Sequence, residues 1–287
     1  MVAIRRRENE AMLRSAEQTL ARLEVISRNQ GVDDRHPPLL FVHGAWHGAW
    51  CWDRGFLDRV AQQGFEVHAM SLRGHGRSEG YERLRTTRVR DFVADIEEVA
   101  DSLRSQPVVI GHSMGGFLTQ KLMERRRLPG AVLLASMPPN GVAAFVGKLI
   151  RTDPVGALQA NLKLQLKPVV STSDRVKRLF FSDVMSDADV DLYAAQLGDE
   201  AFLAYLDMLF GDLCTPAQGT PVLVLGAESD AIFAVETQKR IAATYGTEAM
   251  LFPMAHDMML EPGWESVADA IANWVREGCR QRVTLAA

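Results

Sequence analysis

Cysteine is scarce in this chain. Cys51, Cys214 and Cys279 are the only three in 287 residues. Their number is odd and their spacing wide, so they form neither a disulfide framework nor a metal-binding pattern. A strong net charge is also missing. The 32 Lys and Arg against 36 Asp and Glu leave −4, which gives no broad attraction to nucleic acid. The basic clusters Arg5–Arg7 and Arg125–Arg127 read as solvated surface. No run approaches the ~20 apolar residues that span a bilayer. The first ten residues, MVAIRRRENE, carry charge where a secretory signal has its apolar core. The chain therefore reads as soluble and cytoplasmic, with neither a membrane nor a nucleic-acid partner. Assembly into a homo-oligomer is left open. Internal repeats and low-complexity segments are absent as well.

What is present is enough material for a large core. Hydrophobic residues make up 47% and charged residues 24%, an ordinary balance for a globular protein. The length suits one large domain or a domain with an insertion. The apolar runs at Pro38–Val42, Phe65–Leu72, Val108–Ile110, Ala131–Ala135, Pro221–Leu225 and Ala249–Phe252 read as strands. Helical spacing lies between them, as in Phe92, Val93, Ile96, Val99, Ala100 and Leu103, and again in Val267, Ile271, Trp274 and Val275. Such alternation predicts a mostly parallel sheet covered by helices on both faces. Between Ser136 and Pro221 the apolar positions turn helical, and Pro138–Gly219 reads as a helical cap inserted over the strand ends. The core is then 1–137 and 220–287, with 1–37 as an N-terminal extension. In that extension a helix is predicted over Glu8–Leu20 and a short strand at Leu23–Ser27.

The most informative stretch is 107–116, Pro-Val-Val-Ile-Gly-His-Ser-Met-Gly-Gly. A buried apolar strand runs into a serine flanked by glycines two positions away, and helical spacing follows from Phe117. This is the pattern of a sharp strand-to-helix turn that pushes the hydroxyl of Ser113 out of the backbone as a nucleophile. Serine needs a base to take its proton. Of seven histidines only His256 follows Ser113 in the chain, and it stands just after a strand, at the sheet edge where open α/β sheets bind ligands. His112 precedes the serine in the turn and is expected to point away. The base needs an acid to orient it. Asp230, on the loop after Pro221–Gly226, is the first choice and Glu228 the alternative. An oxyanion hole requires two backbone N–H groups. Met114, at the start of the following helix, and Ala45, in the loop after Val42, are the candidates. Trp46 and His47 in that same loop are expected to border the substrate pocket.

With these residues placed, the chain resembles the α/β-hydrolase fold superfamily from about Pro38 to Arg276. The likeness rests on His43-Gly44-Ala45-Trp46, Arg73-Gly74-His75-Gly76-Arg77-Ser78, Gly111-His112-Ser113-Met114-Gly115-Gly116, Asp230-Ala231-Ile232-Phe233 and His256-Asp257. It implies a sheet of eight strands or slightly fewer, a Ser–His–Asp triad, no cofactor and no metal. The usual two strands before the His43-Gly44 strand are not both evident here. Epoxide hydrolases and haloalkane dehalogenases of this superfamily carry Asp where Ser113 stands. The segment from His43 to Trp50 is similar to that of plant methylesterases and hydroxynitrile lyases. The lyases, however, carry Thr at the place of Gly44 and Lys at the place of Asp257. The resemblance therefore implies a serine esterase acting on a small to medium carboxylic ester, with lactonase and lipase-like variants included. Another reaction on the same triad (C–C bond hydrolysis, cofactor-free haloperoxidation or dioxygenation) and a non-catalytic ligand receptor are the alternatives.

Overall fold

The computed structural model describes residues 23–30, 35–210, 214–216 and 219–280. The helix expected over Glu8–Leu20 lies outside the described residues. Seven strands form one sheet: β1 (Val25–Arg28), β2 (Leu39–Val42), β3 (Val67–Met70), β4 (Val108–His112), β5 (Ala131–Leu134), β6 (Val222–Ala227) and β7 (Ala249–Phe252). Their spatial order is β1-β3-β2-β4-β5-β6-β7. Only β1 is antiparallel, pairing Val25 with Met70 and Arg28 with Val67. All other neighbours run parallel. The strand expected at Leu23–Ser27 is thus found slightly later in the chain, and a single strand precedes β2 among the described residues.

The continuous apolar runs of β2 to β6 make sense because both faces of the sheet are covered. Leu39, Phe41, Val108, Ile110, Val132 and Leu134 point to one face. There they meet α1 (Phe56–Gln62) and the C-terminal helix, which we number α10 (Trp264–Arg276). Leu40, Val42, Val109, Leu133 and Val224 point to the other face. There they meet α2 (Val89–Ser102), α3 (Met114–Arg125) and α9 (Val235–Thr244). Phe41, Trp52 and Phe56 form a buried aromatic triangle on the first face, with ring centroids 5.1 to 5.9 Å apart.

The strand order fixes where a ligand can sit. From β2 the chain moves through α1 to β3 on one side. From β4 it moves through α3 to β5 on the other. The C-terminal ends of β2 and β4 therefore flank the point where the winding reverses, and the loops leaving them diverge to open a crevice. Between β5 and β6 lie α4 (Ala143–Thr152), α5 (Pro154–Lys163), α6 (Ser173–Phe180), α7 (Asp187–Ala194) and α8 (Phe202–Phe210). Arg88 and the Val89 N–H, at the start of α2, bind Asp207 of α8 and tie these helices to α2.

Phe41 is fully buried against Trp52 and Phe56. Phe41→Ala should destabilise the fold by about 3–5 kcal/mol. Urea unfolding should show it as a lower midpoint at unchanged slope. A loss below about 1 kcal/mol would mean that this face is not packed as described.

Candidate active site

Ser113 stands between β4 and α3 with φ +52° and ψ −114°. A non-glycine residue in that region is strained and persists only where its surroundings over-determine it. Here they do. The Ser113 N–H donates to Leu134 O at 3.0 Å. Its carbonyl accepts from Gly116 N, Met137 N and Phe117 N at 3.0 to 3.2 Å. The flanking glycines allow the crossing. A Cβ on Gly111 would lie 2.3 Å from Gly115 O, and one on Gly115 would lie 2.5 Å from Val42 O. Below the turn, Gln120 Nε2 donates to Met137 O at 2.9 Å and Gln238 Nε2 to Ser136 O at 3.0 Å, holding the chain as it leaves β5.

His256 follows β7 and is buried. Its Nδ1 lies 2.8 Å from Asp230 Oδ2. Asp230 is itself held, because Oδ1 accepts from the N–H groups of Ile232 at 2.7 Å and Phe233 at 2.9 Å. With Nδ1 donating to a carboxylate, the neutral ring keeps Nε2 as its basic nitrogen. Burial disfavours the imidazolium. The charge and hydrogen bond of Asp230, with Asp257 nearby, outweigh burial and raise the pKa of His256 above its ordinary value. Glu228, the alternative acid, is exposed. The structure brings Asp230 to the histidine instead.

His112 packs its ring 4.9 Å from that of His256, which ties the serine turn to the base. Its Nε2 donates to His256 O at 3.1 Å. Burial, with the neighbouring His256, pushes its pKa down to about 3, so it stays neutral. His112, His256 and Asp257 place one ligand atom each within 4.8 Å of one another. Asp230 holds His256 Nδ1, His256 O holds His112 Nε2, and His47 holds Asp257 Oδ2.

The loop after β2 faces Ser113. Neither the Ala45 nor the Met114 N–H finds an acceptor among the described residues. Both residues line a cavity together with Ser113. The peptide carrying the Ala45 N–H is fixed through its carbonyl, because Gly44 O accepts from His43 Nδ1 at 2.8 Å and from His47 N at 3.3 Å. His43 Nε2 accepts from Leu72 N at 3.0 Å, which sets its tautomer. Burial, with His75 close by, keeps the pKa of His43 well below its ordinary value.

Trp46 borders the cavity, but His47 does not. This corrects the expectation for His47. Its ring is buried, with Nδ1 2.8 Å from Ala45 O and Nε2 3.0 Å from Asp257 Oδ2. A side chain so engaged braces the loop from behind and is not offered to a substrate. The sequence also hid two residues that meet at this loop, Glu200 and His75. Glu200 Oε2 accepts from Trp46 N at 3.0 Å and lies 3.2 Å from His75 Nε2. His75 lies in the Arg73-Gly74-His75-Gly76 segment, where nothing local in the sequence points to a partner in residues 138–219. Glu200 sits in a polar stretch of the insertion with no local signal at all. The helices α4, α5 and α8 contribute Phe145, Leu149, Ala160 and Met208 to the cavity wall.

Ser113, on a strained strand-to-helix turn, shares one cavity with two unpaired N–H groups, and the carboxylate-bound His256 packs against His112 beside that turn. Among known proteins, residues 39–270 match the model of the alpha/beta hydrolase family, and the chain belongs to that family. It is 35% identical to methylesterase 10 of Arabidopsis thaliana over 107 residues, 34% of this chain and 37% of that protein. It is 32% identical to salicylic acid-binding protein 2 of Nicotiana tabacum over 147 residues, 50% of this chain and 55% of that protein. The chain thus spans about half or less of the length of these two curated relatives. Among solved structures it resembles in fold the monoacylglycerol lipase of Paleococcus ferrophilus, with a TM-score of 0.64 at 21% identity, covering 89% of this chain and 99% of that one. No helix among the described residues is long and apolar enough to cross a membrane.

The raised pKa of His256 has a kinetic consequence. The protonated ring cannot take a proton, so labelling of Ser113 by a fluorophosphonate should slow as pH falls through a value above 6.5. Asp230→Asn removes the charge that holds this value up. It should move the acid limb to lower pH and slow labelling by about 10³–10⁴-fold. An unmoved limb in a folded Asp230→Asn protein would take Asp230 out of this role.

Proposed function

We propose that this protein is a serine hydrolase that cleaves carboxylic esters with a neutral, apolar acyl group. One observation carries the reading: Ser113 opens into an apolar cavity beside two unpaired N–H groups, and Asp230 holds the histidine that follows β7. In this mechanism His256 Nε2 takes the hydroxyl proton as Ser113 Oγ bonds to the ester carbonyl carbon. The carbonyl oxygen becomes an oxyanion that accepts from Ala45 and Met114 N–H. Collapse breaks the bond to the alkoxy oxygen, which leaves as an alcohol with the proton from His256. Water, deprotonated by His256, then attacks the acyl-serine and releases the acid. Preorganised donors of this kind typically contribute about 10²–10³ in rate each.

The cavity supports the choice of substrate. Its wall includes Met137, Phe145, Leu149, Met208 and Phe233, and no Lys or Arg among the described residues lines it. A charged acyl group would lose its hydration there without gaining a partner. In this reading residues 138–219 form a cap that supplies the acyl pocket. The methylesterase likeness fits an ester substrate. A cyanohydrin lyase is disfavoured, since Gly44 offers no hydroxyl and the Asp257 carboxylate is buried against His47.

Ser113→Ala should abolish both fluorophosphonate labelling and the turnover of a p-nitrophenyl acyl ester series. Turnover that survives Ser113→Ala would overturn the reading. Ala160 is buried at the cavity wall. Ala160→Phe should lower kcat/KM for long acyl chains at least about tenfold while sparing the acetate, because a filled pocket rejects added methylenes. An equal loss across the series would place the acyl group elsewhere.

A further inference from the structure

We propose that Glu200 is a positioning residue of the oxyanion hole, through which the insertion between β5 and β6 holds the Ala45–Trp46 peptide and so aims the neighbouring Ala45 N–H. The inference rests on the serine-hydrolase reading.

Three donors converge on this one buried carboxylate. Oε2 accepts from Trp46 N at 3.0 Å and lies 3.2 Å from His75 Nε2, and Oε1 accepts from Ala201 N at 2.7 Å. His75 Nδ1 lies 3.2 Å from Arg73 O, so both ring nitrogens face acceptors, an arrangement that favours the protonated ring. Glu200 and His75 are 2% and 3% exposed, and such a pair is stable only when its remaining hydrogen-bonding capacity is met. Burial works against the carboxylate, yet His75 and the two backbone donors keep the pKa of Glu200 below its ordinary value. Glu200 also touches the cavity. With its oxygens occupied and its charge balanced, it is suited to hold the loop and not to take a proton from substrate.

The hold acts on a strained residue. Trp46 has φ +65°, a conformation that persists in a bulky residue only under restraint. Glu200 takes its N–H, and Gly198 N donates to its carbonyl at 2.8 Å. Both backbone polar groups of Trp46 are therefore gripped by residues 198–200. The Ala45–Trp46 peptide is pinned at its other end too, since Ala45 O accepts from His47 Nδ1. A turn of this peptide turns the preceding one, which carries the Ala45 N–H. Loss of Glu200 should then blur the aim at the oxyanion and leave the apolar wall unchanged, so that transition-state binding falls more than ground-state binding.

The test uses the full chain with Glu200→Gln, measured on a p-nitrophenyl ester and on an alkylboronic acid, which forms a tetrahedral anion with a serine. The expected result is a kcat lower by about 10–100-fold with KM within about twofold. Boronate affinity should fall in proportion to kcat, and affinity for a neutral ketone of the same chain length should be unchanged. Should Glu200→Gln fail to fold, His75→Asn keeps the carboxylate and removes its counter-charge. It should give a smaller loss, again confined to kcat and boronate binding. Wild-type kcat and boronate affinity in either folded variant, or a loss confined to KM, would overturn the proposal. Turnover that survives Ser113→Ala would instead overturn the serine-hydrolase reading on which it rests.

Discussion

The close crossing of β4 and α3 is the constraint on which the rest of the site depends. Two backbones pass where no Cβ fits, with Gly111 against Gly115 O and Gly115 against Val42 O. That contact leaves Ser113 at φ +52° with no room to relax. The strain costs on the order of 1–3 kcal/mol and must be offset by the surroundings. The end of β5 and the chain leaving it supply part of that offset through the hydrogen bonds to Leu134 O and from Met137 N. The same crossing brings the end of β2, and with it the loop from His43 to Trp46, against the start of α3. Donors from two separate elements thereby face one crevice.

Around this crossing the buried histidines and carboxylates are arranged in pairs. His256 with Asp230, His47 with Asp257 and His75 with Glu200 are almost entirely removed from water. Buried pairs of this type add little net stability compared with apolar packing, and their value lies in fixing geometry. The His47 pair supports the loop after β2 from the side of β7, and the His75 pair reaches the same loop from the insertion. The loop is thus fixed from opposite sides, and the cavity wall beside it can stay apolar.

Much of this was legible in the chain. The apolar runs identified six strands because β2 to β6 are short and buried, and the edge strand β7 keeps an apolar run. The Gly-x-Ser-x-Gly turn was readable because backbone crowding leaves glycine no substitute. His256 and Asp230 were readable from chain order after strands. Long-range polar pairing was not legible. His47 looked like a pocket residue because it sits beside Trp46, yet its partner Asp257 is 210 positions away. The Trp46–Glu200 contact spans 154 positions. No periodicity or local motif encodes such pairs, since they arise only when the insertion folds back on the sheet. The early strand was misplaced slightly for a related reason: β1 is an edge strand with partial exposure, so its apolar pattern is weak.

The central claim is that Ser113 becomes covalently acylated during turnover. Acid quenching of the enzyme milliseconds after mixing with a p-nitrophenyl ester of a medium acyl chain, followed by peptide mass analysis, tests it directly. The account predicts the acyl mass on the peptide containing Ser113, appearing together with a burst of p-nitrophenol and decaying at the rate of acid release. Steady turnover with no acyl mass on that peptide, or with the acyl group on another residue, would contradict it.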